Sequence, residues 1–142
     1  MAKNVFFSFH YDNDVWRAQV VRKSWVTKPN RAAWGVIDKA DFESLQKNGE
    51  EAVKRWIDSQ LEGTTVTVVL IGSETLSRPF VKYEIKKSID RKNKIIGVFV
   101  NKIEDQNQNT SSRGDVTGFN YPLYDWKDDK GYDNLGDWVD QS

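Results

Sequence analysis

The segment Thr65–Ile89, TVTVVLIGSETLSRPFVKYEIKKSI, has the pattern of a buried strand, a loop and a helix, and it decides the fold class of the chain. It begins with the run TVTVVLI, whose apolar and β-branched residues are typical of a buried β-strand. A glycine and a polar stretch follow, and Pro79 then suits the first turn of a helix, because proline has no N–H to leave unpaired there. Val81, Ile85 and Ile89 repeat at four-residue spacing and predict the buried face of that helix.

A glutamate stands beside this predicted face. Glu84 follows Phe80 by four residues, so the two side chains are expected one helical turn apart. In open α/β sheets, ligands bind in the crevice beyond the carboxyl ends of the strands, where the loop at 72–78 should lie. A glutamate in the helix after this loop can face the crevice. We therefore expect the chemistry of the protein at this edge of the sheet.

The composition excludes several classes of function. Lysine plus arginine and aspartate plus glutamate each number 21, so no net charge attracts nucleic acid or an acidic membrane. Cysteine is absent and histidine occurs once, which excludes disulfides, thiolate catalysis and a multi-histidine metal site. No apolar run approaches the ~18–20 residues that span a bilayer, and the N-terminus lacks the layout of a secretory signal. We expect one cytoplasmic domain over residues 1–142, with no metal, nucleic-acid partner or membrane contact.

Apolar runs alternate with helical patterns along the chain. Strands are predicted at residues 4–9, 34–37, 65–71, 94–100 and 121–126. Helices are predicted from Asp12 or Asp14 to about Trp25, and at residues 49–61, 79–91 and 132–139. Residues 38–48 and 101–120 are predicted to be loops, the second mobile because it has few apolar side chains. This alternation indicates a mostly parallel sheet covered on both faces, with strands 4–9, 65–71 and 94–100 side by side at its centre.

The common catalytic and cofactor motifs of α/β proteins are missing. No P-loop occurs, and the turn after the first strand, HYDND at residues 10–14, is neither the glycine-rich turn of a Rossmann domain nor that of a flavin site. A receiver domain would carry an aspartate where Ile71-Gly72-Ser73 stands, and a serine hydrolase would need a G-x-S-x-G elbow. A carboxylate catalyst remains. Glu84 can stabilise an oxocarbenium-like centre, or hydrogen-bond a ribose diol, while a good leaving group such as the nicotinamide of NAD+ departs.

These segments resemble TIR domains, and most closely the bacterial TIR-like group of the Thoeris anti-phage system. The likeness runs from about residue 4 to residue 100. Its centre is the pattern serine, loop, aromatic, three residues, glutamate, isoleucine, represented by Ser77, Phe80, Glu84 and Ile85. The resemblance implies the flavodoxin-like TIR fold, with five mostly parallel strands and helices on both faces. In TIR enzymes the glutamate of this helix is the catalytic residue for NAD+ cleavage, which implies that role for Glu84.

The resemblance also implies which residues surround this glutamate. Phe80 corresponds to an aromatic residue, often tryptophan, and the strand end Phe7–His10 to the segment that lines the nicotinamide-riboside side of the pocket. The substrate-binding candidates are therefore Phe80, Ser8, Phe9, His10 and Ser77. The sequence departs from the family at Val81, where cysteine is commoner, and residues 26–48 carry no pattern that aligns with the family's BB loop.

The activity implied by the resemblance is cleavage of NAD+ at the nicotinamide glycosidic bond. Internal capture of the ADP-ribosyl unit would then give a cyclic ADP-ribose-type signal that acts on a separate effector protein during phage infection. NAD+ is the substrate in this scheme and no cofactor is expected, while self-association stays open. Three alternatives remain: plain NAD+ hydrolysis, a non-catalytic TIR interaction module, and a nucleotide-binding protein outside the group. Without the resemblance, Glu84 would be interpreted as a solvated helix residue paired with Lys87 or Ser88.

Overall fold

The longest apolar runs form the three central strands of one sheet in the computed structural model, which describes residues 3–140. These strands are β1 (Lys3–Phe9), β3 (Val66–Ile71) and β4 (Lys94–Phe99). The shorter strands β2 (Arg31–Trp34) and β5 (Leu123–Asp125) lie at the edges, in the order β2-β1-β3-β4-β5. All four pairings are parallel. The predicted parallel sheet and its three central strands are confirmed.

Helices cover both faces of this sheet, as the alternating pattern predicted. Within residues 3–140 they are α1 (Tyr11–Val26), α2 (Lys39–Lys47), α3 (Glu50–Leu61), α4 (Pro79–Asp90) and α5 (Gly131–Asp140), with a short 3-10 turn at Thr75–Ser77. None of these helices is both long enough and apolar enough to cross a bilayer. The architecture is the five-stranded flavodoxin-like arrangement that the sequence predicted.

The side chains of β3 alternate between two apolar layers. Val66, Val68 and Leu70 pack with α1 and α5, while Val69 and Ile71 pack with α4. A third cluster places Phe6 of β1 against α2 and α3. Because both faces of the central strands are buried, their sequences are continuous apolar runs, which explains why sequence patterning located them.

Two elements near the site differ from prediction. Residues 39–47, predicted as loop, form α2, which begins where the Asp38 side chain accepts a hydrogen bond from the Asp41 N–H at 2.8 Å. The helix is held by Phe42, whose ring stacks on Tyr11 with centroids 4.0 Å apart. The second strand ends at Trp34, earlier than predicted, because Gly35 takes a φ of +85°.

The buried face of α4 also differs from prediction. Val81 is buried as expected, but Ile89 is 50% exposed, and the other buried positions are Glu84 and Ser88. The Ser88 hydroxyl donates to the Glu84 carbonyl oxygen at 2.8 Å and lies 2.7 Å from the Thr67 hydroxyl of β3. These hydrogen bonds pair the polar groups that are buried between α4 and β3. The helix therefore faces the sheet with Glu84 and Ser88 rather than with Ile89.

The segment at 101–120 carries neither helix nor strand, as predicted, but it has more anchors than its composition suggested. Val116 and Phe119 pack against the apolar layer under α4. Arg17 donates from Nε to the Ile103 carbonyl oxygen at 2.7 Å and from Nη2 to that of Asn109 at 2.9 Å. The segment is therefore anchored by these few contacts, and its mobility stays a prediction.

The closing helix α5 differs in one side chain. Its sequence pattern predicts an inward face of Tyr132, Leu135, Trp138 and Val139. The last three are buried, whereas Tyr132 is 69% exposed.

Candidate active site

A cavity opens beyond the carboxyl end of β1, where the strand order reverses between β2 on one side and β3 on the other. Such a reversal leaves a crevice between neighbouring parallel strands, and α/β proteins bind ligands there. Its volume is about 290 Å³, at the lower limit of small-molecule sites. Its lining comes from Phe9 and His10, the start of α1, Gly35, residues of α2 and α3, and residues 78–81 and 84.

Glu84 reaches this cavity from the first half of α4. Its side chain is 7% exposed, and Oε1 accepts a hydrogen bond from the Ser8 hydroxyl at 2.6 Å. Among the described residues, no lysine, arginine or histidine forms an ion pair with this carboxyl. Burial raises the pKa of Glu84 to about 8, against the smaller lowering effect of the Ser8 hydrogen bond. The free protein therefore holds an unpaired, largely neutral carboxylic acid in its crevice at pH 7.

The end of β1 supplies the other predicted residues. Phe9 and His10 line the cavity. Ser8 is fully buried behind it and hydrogen-bonds to Glu84, which does line it. His10 is 7% exposed, and its Nδ1 has no hydrogen-bond partner within the described part of the chain. Burial and the neighbouring Arg78 charge lower the pKa of His10, so the imidazole is neutral at pH 7. The end of β1 and helix α4 therefore border the same cavity.

The two remaining candidates are placed differently. Phe80 lies one turn before Glu84 on α4 and lines the cavity. Ser77 does not line it. Its side chain is exposed, and its hydroxyl donates to the Glu74 carbonyl oxygen at 2.8 Å, which closes the 3-10 turn that precedes α4. The structure therefore brings together every predicted site residue except Ser77.

The sequence did not identify the aromatic wall opposite α4. Tyr11 stacks between Phe9 and Phe42, with ring centroids 5.0 and 4.0 Å away, and Trp56 of α3 packs edge-on against Phe42. The Tyr11 hydroxyl donates to the Asp38 carbonyl oxygen at 3.2 Å, which ties α1 to the start of α2. The high aromatic content, 13%, was the one sequence signal for such a wall, and it did not indicate positions.

Charged residues stand around the cavity rim and were also not predicted. Arg78, at the N-cap position of α4, is the one lysine or arginine in the lining. Asp12 and Glu50 line it as well, and Glu50 forms an ion pair with Lys54 at 3.1 Å. The cavity therefore combines an unpaired buried acid, an aromatic wall and a basic group at its entrance. This combination suits a polar ligand that carries both a ring and an anionic group.

Comparison with known proteins places this cavity inside a matched region. A family model described as "Thoeris protein ThsB, TIR-like domain" matches residues 6–105, a range that contains all of the lining residues. A curated protein of Bacillus cereus (strain MSX-D12), "Putative cyclic ADP-D-ribose synthase ThsB1", is 46% identical over 138 residues. That alignment covers 89% of this chain and 72% of the relative.

Proposed function

Because the chain belongs to the TIR-like domain family of the Thoeris protein ThsB, we propose that it cleaves NAD+ at the nicotinamide glycosidic bond and forms a cyclic ADP-ribose-type product. The observation that carries this proposal is the carboxyl group of Glu84, buried in the crevice at the strand-order reversal with no cationic partner among residues 3–140. A buried acid without a counter-charge costs free energy of folding, so its presence is typical of a functional site. The name of the Bacillus cereus relative supports the same reaction class.

The chemistry follows from the charge of the substrate. The pyridinium of NAD+ is cationic, and as the bond from ribose C1′ to the ring nitrogen breaks, both electrons pass to nicotinamide, which leaves neutral. Positive charge develops on the ribosyl carbon and ring oxygen. A carboxylate beside that centre stabilises the transition state, and its effect is large because the site excludes water.

Glu84 must be ionised for this role. In the free protein its pKa is about 8 because the carboxyl is buried. A bound pyridinium cation favours the charged form of the acid and lowers its pKa, so substrate binding is coupled to release of a proton. Ser8 holds Oε1 at 2.6 Å and orients the carboxylate as it ionises.

The surroundings of the acid favour internal capture over hydrolysis. Phe80 and the stack of Tyr11 on Phe42 form apolar walls that keep water from the ribosyl cation. A nucleophilic group of the adenosine part of the same molecule can then bond to C1′ and close the ring. We take the small cyclic product to act on a separate effector protein.

Product analysis by mass spectrometry tests this proposal. Purified protein incubated with NAD+ should release nicotinamide and a product one water lighter than ADP-ribose, whereas hydrolysis would give ADP-ribose itself. Glu84→Gln should reduce nicotinamide release by about 10²–10³-fold. Glu62→Gln, at an exposed glutamate outside the cavity, is the matched control and should retain full activity. Undiminished release by Glu84→Gln would contradict the role of this carboxylate. No release by the wild type at any protein concentration, with extract of phage-infected cells added, would contradict the reaction.

A further inference from the structure

The outward face of α4 carries a row of lysines around an exposed apolar side chain. Lys82 and Lys86 are exposed at four-residue spacing, and Ile89, three residues further on, is 50% exposed. Neither lysine forms an ion pair with an acidic residue in the described part of the chain. Like charges at this spacing repel each other, and cations near the start of a helix oppose its dipole. This face therefore destabilises α4 unless a negatively charged surface covers it.

The outward face of α5 has the opposite charge. Asp133, Asp137 and Asp140 are exposed at spacings of four and three residues, and the helix contains no lysine or arginine. Two of these aspartates, Asp137 and Asp140, stand in the last turn, where negative charge opposes the helix dipole. Tyr132, beside this row, is 69% exposed. The two helices therefore carry complementary rows, and each row has the sign that its own helix disfavours.

Nearby cations reduce the charge of the α5 row without cancelling it. A guanidinium nitrogen of Arg31 lies against Gly136, and the same group is held over the Trp25 ring, 4.3 Å from its centroid. Residues 127–140 contain five aspartates and two lysines, both of which precede the helix. The face of α5 therefore remains acidic.

The two rows lie on opposite sides of the molecule. Helix α4 packs on the side of the sheet that Val69 and Ile71 face, whereas α5 packs on the side of Val68 and Leu70. The rows of one molecule therefore cannot meet each other. A two-fold contact of α4 with α4 would place like charges together, as would one of α5 with α5. Opposite charges are paired when α4 of one copy contacts α5 of another.

We infer that the chain self-associates head to tail, with Lys82 and Lys86 of one copy against the aspartate row of α5 in the next. Ile89 and Tyr132 supply apolar surface to this contact. Each copy keeps one row free after the first contact, so the contact repeats and builds chains rather than closed pairs. None of these side chains lines the cavity that contains Glu84, so the inference is independent of the proposed reaction.

Sedimentation velocity of the full chain tests for this association. Between about 10 µM and about 1 mM protein, the range of weak contacts, the sedimentation coefficient of the wild type should rise beyond that of a dimer in about 50 mM NaCl. In about 500 mM NaCl the rise should disappear, because salt screens exposed charges. A wild type that stays monomeric at low salt overturns the inference, whether or not the lysine row then binds duplex DNA in a separate titration.

Charge reversal identifies the two surfaces. Lys82→Glu combined with Lys86→Glu should abolish association, and so should Asp133→Lys combined with Asp137→Lys, because the two rows of each variant then repel each other. An equimolar mixture of these two variants should associate again, because each offers the row that the other requires. Association of either variant at the level of the wild type, or a mixture that stays monomeric, overturns the inference.

A control pair separates position from net charge. Lys28→Glu combined with Lys39→Glu makes the same change in net charge at exposed positions outside both rows and should associate like the wild type. Loss of association in this control would show that net charge governs it, and would overturn the inference.

Thermal melting checks that the reversal variants fold. Their Tm should not fall, because each new charge suits the dipole of its helix. If a reversal in α4 does prevent folding, Lys82→Gln combined with Lys86→Gln introduces no new charge and should still weaken association by about tenfold or more. Unchanged association in that variant overturns the inference as well.

Discussion

Replacing Glu84 by glutamine should stabilise the protein at alkaline pH while removing its activity. The folded protein holds this carboxyl with a pKa of about 8, against an ordinary value of 4.5, because it is buried. The native state thus binds the proton more tightly than the unfolded chain does. The stability of the wild type is therefore highest below about pH 4.5 and falls as pH rises toward 8, where the folded protein also loses the proton.

The size of this effect follows from the two pKa values. At about 1.36 kcal/mol per pH unit, the difference between about 8 and 4.5 costs the wild type roughly 5 kcal/mol above pH 8 and about 3 kcal/mol at pH 7. Glutamine stays neutral at every pH and avoids this cost. Its amide has to replace the hydrogen bond from Ser8, at a cost of about 1 kcal/mol. The net gain is therefore roughly 4 kcal/mol at pH 9 and close to zero at pH 5.

Thermal melting at several pH values measures this difference. At roughly 2–4 °C per kcal/mol for a domain of this size, Tm of Glu84→Gln should exceed that of the wild type by roughly 8–16 °C at pH 9 and by little at pH 5. Glu62→Gln, at an exposed position, should follow the wild type throughout. Nicotinamide release is measured on the same preparations. A Tm difference that does not change with pH, or a variant less stable than the wild type at pH 9, would show that Glu84 is not held as a neutral acid.

Three further outcomes follow from the same contacts. The kcat/KM for NAD+ should rise with pH and level off near pH 8, as free Glu84 ionises; a profile flat from pH 6 to 9 would contradict ionisation of this group. Gly72→Ala should cost at least about 2 kcal/mol in urea unfolding, because a Cβ would clash with the carboxylate of Asp14, which forms the buried ion pair in α1; an unchanged midpoint would mean that α1 moves aside freely. Phe42→Ala should lower stability by about 3 kcal/mol and raise KM for NAD+, because the ring stacked on Tyr11 forms the cavity wall; a loss of stability with KM unchanged would limit Phe42 to the core.

The part of the fold that the sequence predicted is the part built from buried parallel strands. Strands β1, β3 and β4 are apolar on both faces, so their runs stand out from the helices around them. Helix α2 was missed because little of its stability is local. Its one buried residue is Phe42, and that ring packs on Tyr11, a residue far away in sequence. Short helices are stabilised mainly by such tertiary contacts, which a local pattern does not contain.

The candidate site was predictable from family resemblance but not from periodicity, and α4 shows why. The pattern of Val81, Ile85 and Ile89 indicated an apolar buried face, yet the helix buries Glu84 and Ser88 and leaves Ile89 half exposed. A glutamate next to lysines on a helix has the appearance of a solvated residue, and the partner that makes its burial tolerable, Ser8, is 76 positions away. Burial of Glu84 is costly for folding, and it is also what would make this carboxylate effective against a developing positive charge. A helix that buries polar residues in place of the predicted apolar ones therefore indicates where folding and function conflict, and in this chain that place is the crevice beyond β1.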